Sequence, residues 1–362
     1  MTLETAVVGG VASESHFSGL QACPATELVA VCDEDESRAR ERATEYDINA
    51  YADFEGLLAR ESLDWIHLCT PVGTRLELAR MAIEDGIPVL IASPVTESVA
   101  EAEELERLVA EYDAHVSVAH NRNFSPAMRD ARRRIEDGTV GEVRSVDLLS
   151  AGGTYPDDGP RGDGAFEFEA GLSHPIYTVL TLGGYPSSPD SVQSSASLAN
   201  EYTWEFDYGS VQFQYTTDDG VLCSGTVLAS GVPHEVVRVH GDRGSIEIDL
   251  VAQSVTVLDR DYQGSPGLRV LADVNHILGR LQRTVENLVT VARRALDDDR
   301  DAPRTLDSHS YQFGEEARAI QRGEPPTVPV AEGTWTLRVI ETLRAGAMTG
   351  EERPVPLNTD GM

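Results

Sequence analysis

The chain contains no lysine, and its 29 positively charged side chains are all arginine. Asp and Glu together number 61, which gives a formal net charge of −32 at pH 7. The acidic residues are spread over the whole chain, the pattern of a carboxylate-coated surface that stays soluble in concentrated salt. We therefore expect a protein from a halophile. We do not expect it to bind nucleic acid, because its surface repels phosphate.

Other features are also missing from the chain. No apolar run approaches the roughly 20 residues of a membrane helix, and the N-terminus lacks the basic start of a signal peptide. The four cysteines show no C-x-x-C spacing, and the nine histidines show no H-E-x-x-H motif. We therefore expect a cytoplasmic protein with no membrane partner and no metal site.

The opening stretch has the layout of a βαβ dinucleotide site. A short apolar strand, TAVVG, runs into a turn at Gly9, Gly10, Val11 and Ala12, and a second strand, ELVAVC, ends on Asp33. Glycine lets the backbone approach a pyrophosphate, and an acid about 20 residues later accepts the ribose hydroxyls. The acids at 34–36 add charge that would repel a 2′-phosphate, so the sequence favours NAD over NADP.

Two domains are predicted within the 362 residues. Strands and helices alternate through residue 122, which predicts a doubly wound α/β Rossmann domain with a parallel sheet over residues 1–124. Closely spaced strands follow, joined by turns at Asp219-Gly220 and at residues 242–244, and they predict an α+β domain with an antiparallel sheet over 125–362. A helix is predicted over 274–296, and residues 151–164 form a loop that is a candidate cover for the substrate.

Several motifs together resemble the Gfo/Idh/MocA family of NAD(P)-dependent oxidoreductases. They are ELVAVCDEDESRA, the strand end LCTP, GIPVLIASPVTES, VAHNRNFSP, GTVGEVRSV, HGDRGSIEIDL and RGEPPTVPVAEGTWTLRVIETLRAGAMTG. The resemblance implies a Rossmann domain followed by an open, mostly antiparallel sheet that often forms a dimer interface. It also implies hydride transfer between nicotinamide and a hydroxyl of a sugar, nucleotide sugar or polyol, in the cleft between the domains.

The chain departs from this family at two motifs. Where the family carries Glu-Lys-Pro, with a lysine that polarises the reacting hydroxyl, this chain has Ala92, Ser93 and Pro94. Where the family places an aspartate four residues before a histidine, this chain has Ala170 before His174. Of these two motifs, the histidine is therefore the group left to exchange a proton.

His174 is the predicted catalytic residue. Proline follows it and an apolar run comes next, so the sequence predicts that His174 lies at the start of a helix with Pro175 at the first helical position. A helix N-terminus disfavours imidazolium, which would keep the ring neutral and able to accept a proton from a substrate hydroxyl. The alternative is a histidine with a purely structural role.

The remaining candidate residues follow from the strand ends and from the resemblance. Thr70 and Pro71 end the fourth strand, and the resemblance implies contact with the nicotinamide side of the cofactor. Ser93 and Pro94 follow the fifth strand and are expected to border the cofactor. Arg122 and Arg75 are the cations expected to face the substrate, although arginine can stabilise an alkoxide but cannot act as a base. Surface ion pairs are the alternative for both arginines.

The leading prediction is thus an NAD-dependent dehydrogenase that acts on a sugar or polyol and forms a homo-oligomer through its C-terminal sheet. An alternative is a homologue that binds a dinucleotide or a sugar but has lost redox turnover together with the lysine and the aspartate. A hydrolase or lyase that uses tightly held NAD is a third possibility within the family.

Overall fold

The computed structural model describes residues 2–9, 14–151, 165–198, 208–228, 232–258 and 308–349. The predicted helix at 274–296 and all but the first residue of the predicted loop at 151–164 lie outside these ranges. No helix within them is long and apolar enough to cross a membrane.

The first sheet has six parallel strands in the spatial order β3-β2-β1-β4-β5-β6. Its strands are β1 (Leu3–Val8), β2 (Thr26–Cys32), β3 (Asn49–Tyr51), β4 (Trp65–Leu68), β5 (Val89–Ala92) and β6 (Val116–Ala119). The connecting helices are α1 (Glu14–Gln21), α2 (Glu36–Tyr46), α3 (Phe54–Arg60), α4 (Arg75–Glu84) and α5 (Val99–Tyr112). The strand order reverses between β1 and β4, so ligands are expected at the carboxyl ends of these strands. The predicted Rossmann sheet is confirmed.

Local sequence signals explain where several of these helices begin and end. The Ser98 hydroxyl accepts the backbone N–H of Glu101 at 3.3 Å and so caps α5. Asp35 caps α2 in the same way, by accepting the N–H of Ser37 at 2.9 Å. After α4, Gly86 adopts a φ of +74°, which stops the helix at little steric cost.

The second sheet has seven strands in the order β13-β12-β11-β7-β10-β9-β8. Its strands are β7 (Val143–Ala151), β8 (Gln193–Leu198), β9 (Tyr208–Thr216), β10 (Leu222–Leu228), β11 (His234–Gly241), β12 (Ser245–Asp249) and β13 (Ser254–Leu258). Strands β7 and β10 pair in parallel, whereas the other neighbouring pairs are antiparallel. The sheet is thus mixed and mostly antiparallel, which confirms the predicted fold class.

One face of the second sheet is buried against helices and the other face is open. Helices α6 (Pro126–Glu136) and α7 (Ala165–Gly183) cover the apolar face, where Phe213, Val237 and Ile248 are fully buried. Side chains alternate across a strand, so the intervening residues point to the opposite face. There Leu222 is 61% exposed.

Two C-terminal helices return to the first sheet, namely α8 (Ser308–Arg322) and α9 (Val330–Thr349). Phe313 of α8 is fully buried in a cluster that includes Val7 and Trp65. Gly19 of α1 faces its ring, and a Cβ on Gly19 would lie 2.8 Å from Phe313 Cε2. Helix α8 therefore belongs to the core that supports β1 and β4.

Candidate cofactor and substrate site

The carboxyl ends of the parallel strands bring most of the predicted site residues to one edge of the first sheet. Because all six strands run in the same direction, the residues that follow them lie side by side. These residues are Gly9 after β1, Asp33 after β2, Cys69 after β4, Ser93 after β5 and His120 after β6.

Gly9 lies where the ends of β1 and β4 approach most closely. Its φ is +97°, and a Cβ at this position would lie 2.7 Å from the carbonyl carbon and oxygen of Cys69 and 2.8 Å from the nitrogen of Thr70. Its own N–H donates to the Cys32 carbonyl at 2.8 Å. Glycine is therefore required here for its conformation and for the space it leaves. Gly10, Val11 and Ala12 lie outside the described residues.

Asp33 is buried at the end of β2 and is held by its neighbours. Its Oδ1 accepts hydrogen bonds from Nε of Arg38 at 3.1 Å, from Nη2 of Arg38 at 2.8 Å and from the N–H of Asp35 at 2.9 Å. The Asp33 side chain is 5% exposed, whereas the Arg38 side chain is 42% exposed. The predicted ribose acceptor is thus a fixed carboxylate with an arginine beside it.

Arg75 connects the ends of β4 and β5. Its Nε donates to the Thr70 carbonyl at 2.9 Å, and its Nη1 donates to the carbonyls of Ala92, at 2.6 Å, and Pro94. Burial lowers the pKa of the guanidinium to about 10, which leaves it charged at neutral pH. These contacts give Arg75 a structural role at the edge, and its predicted contact with substrate stays a prediction.

Thr70, Pro71, Ser93 and Pro94 border the same edge. Thr70 Oγ1 accepts a hydrogen bond from the Thr74 hydroxyl at 3.0 Å, and Pro71 is exposed. The hydroxyl oxygen of Ser93 is buried and has no hydrogen-bond partner in the part of the chain that the structure describes. A buried hydroxyl therefore directly follows β5.

His174 does not lie at the start of a helix, so that prediction is wrong. Helix α7 runs from Ala165 to Gly183, which places His174 nine residues after its first residue, and Pro175 lies inside the helix. A proline at this position removes the hydrogen bond to the carbonyl of Gly171. The helix continues because apolar side chains on both sides of Pro175, Leu172 and Ile176, are buried in the core. The N-terminal dipole therefore does not explain a neutral His174.

His174 is instead part of a row of three rings at the end of β6. Its ring centroid lies 5.4 Å from that of Tyr177, one helical turn later. Tyr177 lies between His174 and His120. The His120 ring stacks on the Tyr177 ring with a centroid distance of 4.1 Å and an interplanar angle of 15°. Burial, and secondarily the charge of His174, lowers the pKa of His120 to about 3, so His120 is neutral at physiological pH.

Tyr177 also anchors the chain that follows His120. Its hydroxyl accepts the backbone N–H of Arg122 and donates to Oδ1 of Asn121, each at 3.3 Å. The row of rings therefore links α7 of the second domain to the 3-10 helix Asn121–Phe124 that leaves β6. Sequence reasoning missed His120, although a polar residue directly after a parallel strand was the available signal.

Arg122 forms an ion pair that crosses between the two sheets. Its Nη1 lies 2.5 Å from Oε1 of Glu235, at the start of β11. The Arg122 side chain is 32% exposed and that of Glu235 is 14% exposed, so the pair is only partly open to solvent. The charge of Arg122 is therefore balanced by Glu235, and its contact with a substrate stays a prediction.

The arrangement combines features that hydride transfer from an alcohol needs. A close-packed glycine and a buried acid lie at the switch point, where a dinucleotide would bind. His174, from the second domain, lies near the end of β6 through Tyr177, which stacks on His120, and a histidine is the side chain that most often acts as a general base. Among the described residues, no group of three or more His, Cys, Asp or Glu side chains is placed to hold a metal ion.

Comparison with known proteins agrees with this geometry. Residues 3–120 match the Gfo/Idh/MocA family, described as an oxidoreductase family with an NAD-binding Rossmann fold. The chain is 24% identical over 253 residues to inositol 2-dehydrogenase of Rhizobium meliloti, covering 68% of this chain and 75% of the relative.

Two solved structures share the fold over nearly the whole chain. UDP-N-acetylglucosamine 3-dehydrogenase from Acidithiobacillus ferrooxidans superposes with a TM-score of 0.72 at 17% identity, covering 96% of this chain and 99% of the other. An oxidoreductase from Agrobacterium radiobacter, in complex with NAD+, L-tartaric acid and magnesium, gives a TM-score of 0.70 at 15% identity and 97% coverage of both chains. Residues 3–120 therefore resemble the NAD-binding Rossmann domain of the Gfo/Idh/MocA oxidoreductases, and nearly the whole chain shares the fold of these solved oxidoreductases.

Proposed function

We propose that this protein is an NAD-dependent dehydrogenase that transfers hydride from a CH–OH group of a sugar or polyol to nicotinamide. The observation that carries the proposal is the meeting of His174, from the second domain, with the carboxyl edge of the Rossmann sheet. Relatives that act on inositol and on a nucleotide sugar support a polyhydroxylated substrate.

The residues at the edge fit a dinucleotide. At Gly9 the missing Cβ lets the end of β4 pack closely against the end of β1, at the switch point where a pyrophosphate would bind, and we propose Gly10, Val11 and Ala12 as its further contacts from the sequence alone. Asp33 offers a buried carboxylate for the ribose hydroxyls, and Thr70, Pro71, Ser93 and Pro94 border the nicotinamide end. When bound, the cofactor supplies the hydride acceptor.

In this mechanism His174 accepts the proton of the reacting hydroxyl through a neutral imidazole nitrogen. General-base catalysis of this kind contributes roughly 10² to 10⁴ in rate. The charge on Arg122 is balanced by Glu235, so stabilisation of a developing alkoxide is weak. We therefore expect slow turnover.

NAD is proposed over NADP because Asp33 and the acids at 34–36 would lie beside a 2′-phosphate. Arg38 opposes this preference, since its guanidinium lies 2.8 Å from Asp33. The buried carboxylate holds that guanidinium in two hydrogen bonds, so binding a 2′-phosphate would require breaking them.

The test is a screen of neutral sugars and polyols with NAD+ in molar KCl, following NADH absorbance. We expect turnover with at least one polyol and its loss in His174→Ala, with NAD+ binding retained. If turnover is found and His174→Ala leaves it unchanged, the catalytic role of His174 is wrong.

The same screen tests the second candidate function, a homologue that binds ligand without redox turnover. The observation that favours it is the buried hydroxyl of Ser93 at the position of the family lysine. Saturable NAD+ binding without turnover on any polyol would support this candidate.

We also propose that the open face of the second sheet joins two copies of the chain, in the cytoplasm of a salt-adapted organism. This face carries exposed Leu149 and Leu222 beside a row of charges, in which Arg238 bonds to Glu247 at 3.0 Å. A twofold pairing would bury both leucines and bring the charged rows together. Light scattering across a KCl series tests the oligomeric state.

A further inference from the structure

Two polar side chains at the ends of β5 and β6 are buried without a hydrogen-bond partner among the residues that the structure describes. They are Ser93, through its hydroxyl oxygen, and His120, through both ring nitrogens. A buried polar group without a partner costs free energy, so native proteins rarely keep one without a ligand, a water or a function.

These two side chains come from neighbouring positions on adjacent strands. In the β5–β6 register Ala92 pairs with Ala119, so Ser93 and His120 are the next residues on two parallel strands. Neighbouring strands lie roughly 5 Å apart, which is close enough for hydrogen bonds from the two side chains to converge on hydroxyl groups of adjacent carbons.

The environment of His120 fixes its chemistry. Its ring stacks on Tyr177 and is 0% exposed. The nearest carboxylate oxygen, Oε2 of Glu332, is 3.9 Å from Nδ1 and therefore too distant for a hydrogen bond. A neutral imidazole offers one donor and one acceptor, and the serine hydroxyl offers both as well.

This combination suits hydroxyl groups better than anions. A hydroxyl both donates and accepts, and can pair with either side chain. A carboxylate or phosphate only accepts, so it would leave the acceptor nitrogen of His120 unpaired. The Glu332 carboxyl, whose Oε2 lies 3.9 Å from Nδ1 of His120, would also lie close to an anion bound at this histidine.

We propose that Ser93 and His120 form a subsite for two neighbouring hydroxyl groups of an uncharged polyol, beside the hydroxyl from which His174 takes the proton. The subsite rests on the proposed dehydrogenase function and narrows its substrate to neutral polyols. It also supplies hydrogen bonds at the position where the family lysine is absent.

The chain offers a matched control for the test. His67 on β4 is likewise fully buried, and burial lowers its pKa to about 3. Its Nε2 has no partner within the described ranges, but its ring contacts Trp65 and Phe313, in the core beneath the sheet. His67→Phe thus changes a buried histidine outside the proposed subsite.

The experiment measures kcat/KM and the melting temperature of wild type, His120→Phe, Ser93→Ala and His67→Phe in molar KCl. The probes are myo-inositol and the most active other neutral polyol of the screen, with L-tartrate and UDP-N-acetylglucosamine as charged comparators. We expect His120→Phe to lower kcat/KM for the polyol roughly tenfold or more, the loss of about one hydrogen bond in a buried site, without lowering the melting temperature. His67→Phe should retain wild-type kcat/KM.

Ser93→Ala should raise the KM for the polyol by a larger factor than it changes the Kd for NAD+, and the wild type should prefer neutral polyols to both charged comparators. Polyol turnover that is undiminished in His120→Phe leaves the dehydrogenase function standing and overturns the subsite alone. A wild type that is stabilised by NADH but neither turned over nor further stabilised by any polyol overturns both. If His120→Phe does not fold, His120→Asn takes its place in the experiment. Wild-type activity in His120→Asn together with an unchanged KM for the polyol in Ser93→Ala would refute the subsite.

Discussion

Replacing Gly9 by alanine tests whether the close approach of β1 and β4 is what builds the cofactor site. The added Cβ would lie 2.7 Å from the carbonyl carbon of Cys69 and 2.8 Å from the nitrogen of Thr70. These are backbone atoms, so the contact can be relieved only by separating the two strand ends at the switch point.

Two costs add in Gly9→Ala. An alanine with positive φ costs roughly 1–2 kcal/mol, and overpacking against a well-packed neighbour costs typically about 1–3 kcal/mol. Gly86→Ala provides the control, because Gly86 has a φ of +74° but nothing lies within 4 Å of a Cβ there. We expect Gly9→Ala to be less stable than Gly86→Ala by about 1–3 kcal/mol.

The assay is urea unfolding of both variants and the wild type at one fixed KCl concentration, with NAD+ binding measured on each folded variant. Gly9→Ala should lose NAD+ affinity as well as stability, whereas Gly86→Ala should keep wild-type affinity. Equal destabilisation of the two variants, or unchanged NAD+ affinity in Gly9→Ala, would refute the close approach as the origin of the site.

Three further predictions follow from charge and burial. The melting temperature should rise with KCl, because screening reduces repulsion among the excess carboxylates; circular dichroism melts that show no dependence on salt would contradict this. Asp33→Asn should release Arg38 and narrow the difference between the melting-temperature shifts that NAD+ and NADP+ cause. A larger shift with NADP+ than with NAD+ in the wild type would contradict NAD as the proposed cofactor. Burial holds the pKa of His67 at about 3 against 6.5 in the unfolded chain, so the unfolded state takes up the proton first and stability is lost as pH falls below 6.5. Between pH 7.5 and pH 5, the free energy of unfolding should therefore fall by about 2 kcal/mol less in His67→Phe than in the wild type, as measured by urea unfolding. An equal fall in both proteins would contradict this prediction.

The sheets were predictable because their signals are local. Apolar runs that end at glycine or proline mark the buried parallel strands, and alternating residues around tight turns such as Asp219-Gly220 mark the antiparallel ones. The parallel pairing of β7 with β10 carries no local signal, since these strands lie more than 60 residues apart and meet only in the folded sheet.

The candidate site was harder to predict because side-chain partners come from distant parts of the chain. His174 followed by Pro175 matches the signature of a helix start, yet tertiary packing carries α7 through the proline. Arg75 was expected to face the substrate or to form a surface ion pair, and its described hydrogen-bond partners are backbone carbonyls at the ends of β4 and β5, up to 19 residues away. Contacts between residues that are distant in sequence leave no periodic pattern from which they could be predicted.

Local anomalies alone do not identify this site. Trp65 Nε1, His67 Nε2 and the hydroxyl of Ser117 are also buried without a partner in the described part of the chain, and they lie on strands of the first sheet rather than beyond its carboxyl edge. Ser93 and His120 combine the same anomaly with a position just past the strand ends, the edge at which open α/β sheets bind ligands. An unpaired polar group beneath the sheet can only cost stability, whereas one at the edge can recover that cost when a hydroxyl binds. Exchanging each group for an apolar one should therefore stabilise the protein in both places and impair ligand binding only at the edge.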